Sequence, residues 1–131
     1  MVYIFELPTY KQCTLINITT YAREAVKKSG ILSGIATIYC PHTTAGITIN
    51  ENADPDVTAD ILAALVKMVP EMEFKHIEGN SPAHIKTLLT GSSVSVPVNQ
   101  GNLALGRWQS VYFCEYDGPR DRKFYVQVVG E

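Results

Sequence analysis

The sequence offers little to a nucleic acid, a bilayer or an oxidising compartment. It has no basic run, and 11 basic against 13 acidic residues leave a formal net charge of −2. That balance lacks the electrostatic footprint of a nucleic-acid or anionic-membrane binder. No apolar run approaches the roughly 18 residues that mark a membrane helix, and the first residues carry no signal-like apolar core. Cysteine is sparse: Cys13, Cys40 and Cys114 are odd in number and lack metal-ribbon or redox spacing, which argues against a disulfide framework. Each lies in or beside an apolar run, where a free thiol behaves as a small buried hydrophobe. Cys40 stands apart because it is two residues from His42. These absences predict reduced thiols and a soluble cytoplasmic protein. Internal repeats and low-complexity segments are missing too.

What is present suits one domain over residues 1–131, long enough to bury a sizeable core without staples. Val2 to Leu7 and Thr14 to Ile18 are short β-branched or aromatic runs separated by Pro8 to Gln12, the pattern of a hairpin or strand pair. Thr19 or Thr20 can cap a first helix running to Lys28, with Gly30 as its stop. Ile31 to Cys40 and Gly46 to Asn50 look like neighbouring strands. Pro55 to Met68 reads as a helix: Asp54 caps it, and Val57, Ile61, Leu65 and Met68 form a stripe that Leu62, Val66 and Val69 broaden. Pro70 ends it. Ser81 and Pro82 open a third helix that runs to Leu89 and stops at Gly91. The remainder is strand: Ser93 to Val98, a piece near Leu103 to Leu105, Arg107 to Tyr116, and Lys123 to Val129 after the turn Asp117-Gly118-Pro119. That order does not repeat a βαβ unit, so the expected fold is α+β with a largely antiparallel or mixed sheet and about three helices. Strands outnumber helices, which leaves sheet surface to be covered by other copies.

Polar chemistry is densest in residues 40–60, CPHTTAGITINENADPDVTAD. His42 and Glu51 are expected on strand or loop ends beside a helix N-terminus, where sites tend to be built. Only three histidines occur, His42, His76 and His84. Imidazole suits zinc and its neighbours, and three protein ligands with one open position is the catalytic arrangement. The alternative is three separate, locally hydrogen-bonded rings, since no tight ligand signature is present. Asp56 and Asp60 lie one helical turn apart. Asp54 and Asp56 have a ready explanation in the helix dipole, whereas Asp60 sits too far into the helix to gain much from it. On the strand from Arg107, Gln109, Val111, Phe113 and Glu115 share one face. If that face is interior, Glu115 needs a partner, and Arg120 or Arg122 can serve as a structural ion pair or as an anion clamp.

Three segments together, PHTTAGITINENADPDV with Asp60 after it, HIEGNSPAHIK, and GRWQSVYFCEYDGPRDR, resemble one family. They are similar to the secondary thiamine-phosphate synthase family, the YjbQ-like proteins, and the likeness spans essentially the whole chain. The resemblance implies an α+β subunit that assembles as a homotrimer, with a polar, often metal-occupied cleft at or near subunit boundaries. By position it implies metal ligation by His42, His76 and His84, with zinc favoured and magnesium the alternative for a diphosphate substrate. It implies catalytic roles for Glu51, Asp60, Glu115 and Arg120, and substrate binding by Thr43, Thr44, Asn52, Asn80, Gln109 and Arg122. The implied reaction is a metal-assisted transfer that joins a pyrimidine diphosphate to a thiazole phosphate and releases pyrophosphate. Two rivals stand beside it: metal-dependent phosphoester hydrolysis with Glu51 as general base, and a non-catalytic trimer that holds a metal or small ligand.

Overall fold

Two antiparallel sheets share one core in the computed structural model, which describes residues 1–131. The elements are β1 (Val2–Pro8), β2 (Thr14–Asn17), α1 (Thr19–Ser29), β3 (Ser33–Tyr39), β4 (Ala45–Glu51), α2 (Pro55–Met68), α3 (Ser81–Thr90), β5 (Ser93–Asn99), β6 (Asn102–Leu103), β7 (Gln109–Glu115) and β8 (Asp121–Gly130). The larger sheet has the order β1-β8-β3-β5-β6 and the smaller one β2-β7-β4. This is the α+β architecture expected from the element order. No helix is long and apolar enough to cross a membrane.

Alternation decides which residues enter the core. Phe124, Val126 and Val128 of β8 point inward with Ala36 and Ile38 of β3, and Ile47, Val111 and Phe113 meet them from the smaller sheet. Phe113 and Phe124 join the layers, their ring centroids 6.2 Å apart. Helix α1 adds Ala22, Ala25 and Val26, the apolar positions its sequence places on one face. The other face of β7 buries Tyr112 and Cys114 beside Ala83 of α3, with Leu62 and Leu65 of α2 packed against them.

Two strand pairings differ from the sequence expectation. β1 and β2 are not a hairpin: β1 pairs with β8, from Val2↔Gln127 to Pro8↔Asp121, while β2 pairs with β7. Likewise β3 and β4 are not neighbours, since β3 lies between β5 and β8 and β4 lies beside β7. In both cases the connector runs between layers. A linker of about five residues reaches roughly 17 Å when extended, enough to pass between sheets stacked about 10 Å apart. Both linkers therefore end near the site described below.

Helix entrances also shift. Neither Thr19 nor Thr20 caps α1: Ile18 holds the cap position and the Asn17 side chain accepts from Thr19 N at 3.0 Å. Thr19 Oγ1 is taken by the Val111 N–H, 2.9 Å away. At α3 the cap position is Asn80 rather than Ser81, without a side-chain cap bond. Asp54 caps α2 as expected, accepting from Asp56 N at 2.9 Å, and Gly30 closes α1 at φ 69°. Of the expected α2 stripe, Val57, Ile61, Leu62 and Leu65 are part-buried, whereas Val66 and Met68 are exposed, and none of the helix's residues is fully buried.

Candidate functional site

The site forms where β3 hands over to β4, β7 turns into β8, and α3 begins. Its floor is a buried ion pair. Glu115 ends β7 with no solvent exposure, and Arg122 Nε and Nη2 donate to its two carboxylate oxygens at 2.8 and 2.5 Å. Thr9 Oγ1 also donates to Glu115, at 2.6 Å, and Arg122 Nη2 reaches Thr44 Oγ1 at 2.9 Å. Burial works against the Glu115 carboxylate most strongly, but the hydrogen bonds from Arg122, Thr9 and the Asp117 N–H together outweigh it and lower its pKa. Of the two pairings open in the sequence, Arg122 is thus the partner of Glu115.

Arg120 has a different partner. Its Nη2 lies 2.9 Å from Asp117 Oδ2, its Nε donates to Asp117 O, and Asn80 Nδ2 donates to the same Asp117 oxygen at 2.9 Å. The Asp117 pKa is lowered because these bonds exceed the opposing effect of burial. Gly118 lets this turn nest against the β1–β2 linker, since a Cβ there would run into Lys11 O and the side chains of Thr9 and Glu115. Thr9 and Asp117 were not singled out from sequence. The only hint for Asp117 is its i,i+3 spacing to Arg120.

Above this floor is a cleft of ≈ 350 Å³ lined by Pro41, His42, Thr43, Thr44, Glu78, Asn80, His84, Arg120 and Arg122, with no hydrophobic residue. It collects side chains from all three sequence segments. The Lys123 N–H donates to His42 Nε2 at 3.0 Å. With that lone pair engaged, a neutral ring carries its proton on Nδ1 and offers it as a donor. Burial, then the positive charge of Arg122, lowers the His42 pKa below the usual histidine value of 6.5. Cys40, beside this segment, is a buried thiol pushed up to about 11 by desolvation, which makes it inert packing.

The three histidines do not form one cluster. His76 and His84 stand edge to face with centroids 5.7 Å apart, and His42 is bound to β8 instead. No group of three or more His, Cys, Asp or Glu side chains is placed to hold a metal ion. One chain therefore offers a cation two imidazoles together and does not complete a three-histidine centre.

Glu51, Asn52, Asp60 and Gln109 are also apart from the cleft. Ala45 pairs with Glu115 at one end of the β4–β7 ladder, and Glu51 pairs with Gln109 at the other. At about 3.3 Å per residue those ends are roughly 20 Å apart. Asn52 Nδ2 donates to Ser110 Oγ at 2.8 Å and ties the end of β4 to β7, and Gln109 Oε1 accepts from Gly106 N at 2.8 Å and holds the turn before β7. Asp60 is exposed on α2.

Comparison with known proteins identifies the family over nearly the full length. The family model described as UPF0047 protein YjbQ-like matches residues 3–131. The UPF0047 protein of Methanocaldococcus jannaschii is 48% identical over 132 residues, covering 100% of this chain and 96% of that one. The UPF0047 protein YugU of Bacillus subtilis is likewise 48% identical, over 99% of this chain and 100% of its own. A crystal structure of a YjbQ/UPF0047 family protein from Clostridium acetobutylicum superposes with a TM-score of 0.95 at 52% identity, over 97% of this chain and 99% of that one. One of a Sulfolobus solfataricus protein gives 0.94 at 35% identity, over 100% and 99%. Sequence, fold and full-length coverage agree, and the chain belongs to the UPF0047, YjbQ-like family.

Proposed function

We propose that the cleft is the active site of an enzyme acting on a small phosphorylated substrate, and that the reaction is a transfer of the secondary thiamine-phosphate synthase type. The observation that carries this reading is the meeting of three distant sequence segments in one wholly polar cleft. In such a transfer the thiazole nitrogen attacks the methylene carbon of the pyrimidine diphosphate. The carbon–oxygen bond breaks and pyrophosphate leaves with the electron pair. The chemistry needs positive charge and hydrogen-bond donors where the leaving group gains charge. Arg120, half exposed at the cleft, the His42 Nδ1–H and the Thr43 hydroxyl supply them, while the Arg122–Glu115 pair and Thr44 hold the floor rigid.

A divalent metal, zinc by the softness of imidazole or magnesium with a diphosphate, would add Lewis-acid charge neutralisation on His76 and His84. His42 Nε2 is taken by the Lys123 N–H, so the remaining ligands would come from outside this chain's His76–His84 pair. Assembly as a homotrimer belongs to the same proposal, and Glu51 and Asp60 join the site only through a neighbouring subunit. In the hydrolytic alternative Glu78 is better placed than Glu51 as general base. It lines the cleft and has no ion-pair partner.

The test is to incubate zinc-reconstituted protein with the pyrimidine diphosphate and thiazole phosphate, and separately with phosphoesters, beside Arg120→Ala and His84→Ala. Thiamine phosphate formation that falls about 10²-fold or more in both variants supports the proposal. Formation that survives unchanged in both removes the cleft from the reaction. Phosphoester cleavage without transfer selects the hydrolase, and ligand retention without turnover selects a binding protein.

A further inference from the structure

We propose that the connector between α2 and α3, residues 70–80, is a docking arm that seats in an apolar groove of a second copy of this chain, with Ile77 as anchor and a carboxylate of the arm against Lys86. The inference rests on the assembly reading above and adds to it the surfaces that meet.

The groove lies between α2 and α3, encloses ≈ 180 Å³, and is lined by Cys13, Leu62, Leu65, Val66 and Tyr116, with Lys86 as its one charged group. Helix α2 is amphipathic, yet it contains no fully buried residue: Leu62 and Leu65 are only half covered by the Tyr112 and Cys114 cluster, and Val66 and Met68 are 59% and 65% exposed. Leu89 and Leu88 of α3, 52% and 80% exposed, extend the uncovered surface. Lys86 retains only 9% exposure and has no ion-pair partner in the chain. Its ammonium is the one charge at the groove and is free to pair, so an arriving carboxylate would gain an ion pair among apolar walls. The occupant this groove fits is therefore apolar and acidic at once.

The arm has that composition. Ile77 is 99% exposed and Met72 64%, and Glu71, Glu73 and Glu78 alternate with them, none in an ion pair. An isoleucine wholly in water contributes nothing to the fold of a single chain. Groove and arm are different surfaces, so the contact is head-to-tail, the kind that closes into a ring. The arm also bears Glu78, which lines the cleft, and His76, which stands against His84 of its lining, so docking would fix these groups in place.

Light scattering coupled to size-exclusion chromatography of wild type, Ile77→Glu and Lys86→Glu tests this. Circular dichroism checks the fold, and the exposed Ile77 position cannot disturb a single chain's core. The expected result is an assembled wild type, and half-dissociation concentrations raised at least about tenfold in both variants. Full assembly of both variants would overturn the arm while leaving the trimer intact. A wild type of one-chain mass at every concentration would overturn both readings. So would such a single chain taking up a fluorescent fatty acid in the groove, which would name a small apolar anion as its occupant.

Discussion

Arg122 and Glu115 meet two-pronged across the turn from β7 to β8, with 4% and 0% of their side chains exposed. The pair is satisfied on every side: Thr9 donates to the carboxylate, and Thr44 accepts from the guanidinium. Removing one partner leaves the other charged and buried. We expect Arg122→Ala and Glu115→Ala each to cost about 3–5 kcal/mol in urea unfolding. The double variant Glu115→Leu/Arg122→Met should lose less than either single variant, and a double variant that loses the sum would show that the partners do not depend on each other.

Acid should unfold the protein through this floor. The folded pKa values of Glu115 and Asp117 lie below the ordinary 4.5 and 3.8. In the interval between folded and unfolded values the unfolded chain binds more protons, so stability rises with pH there. It is fully present above the ordinary carboxylate range and is lost as pH falls through the lowered values. The unfolding midpoint followed against pH should show this loss, and Glu115→Leu/Arg122→Met should flatten the part due to Glu115.

His42 acts in the same direction at higher pH. Its folded pKa is below 6.5, so its contribution is complete above 6.5 and declines as pH falls toward the folded value. A glutamine can still accept from the Lys123 N–H but does not titrate. His42→Gln should therefore keep its stability near neutrality and lose the part of the wild-type slope that sets in as pH falls below about 6.5. An unchanged slope would place the titrating group elsewhere.

Metal content separates the histidines. After zinc loading and dialysis, His76→Ala and His84→Ala should each retain less zinc than wild type, measured by mass spectrometry, because these rings are neighbours. His42→Ala should retain nearly as much, since its Nε2 is engaged by β8. Equal loss in all three variants would mean that assembly brings the three rings together.

Local signals were readable in the sequence, and long-range partners were not. Helix α2 begins at Pro55 and ends at Met68 as predicted, because its cap, its proline and its stripe are all within the segment. Alternation put Val111 and Phe113 on one face of β7 but left open whether that face is interior; it joins the main core, and the opposite face is buried too. Pairing is different: β1 looks as suited to β2 as to β8, and the contacts that accompany the β8 choice, such as Phe5 stacking on Phe124 at 5.3 Å, are long-range. Thr19 carries the chemistry of a cap, but the Val111 N–H across the layer takes its oxygen. The family resemblance, not spacing or motif order, grouped His42, Thr43, Thr44, Asn80, His84, Arg120 and Arg122, and one cleft is lined by them because loops gather at the ends of the strands they join. It could not show that Glu51 and Gln109, in the same segments, are carried away along the length of a strand pair.

The linker from Cys40 to Thr44 leaves one sheet and enters the other, and it is bolted at both ends, by Cys40 N to Ser92 O at 2.8 Å and by Tyr116 N to Thr44 O at 3.2 Å. A compound resting there would brace both layers, so its occupancy should register in the melting of the whole molecule. A compound at a hundred times its dissociation constant would add about 2.7 kcal/mol. Thermal scanning of a phosphorylated-metabolite collection would then identify compounds that occupy the cleft without a turnover assay.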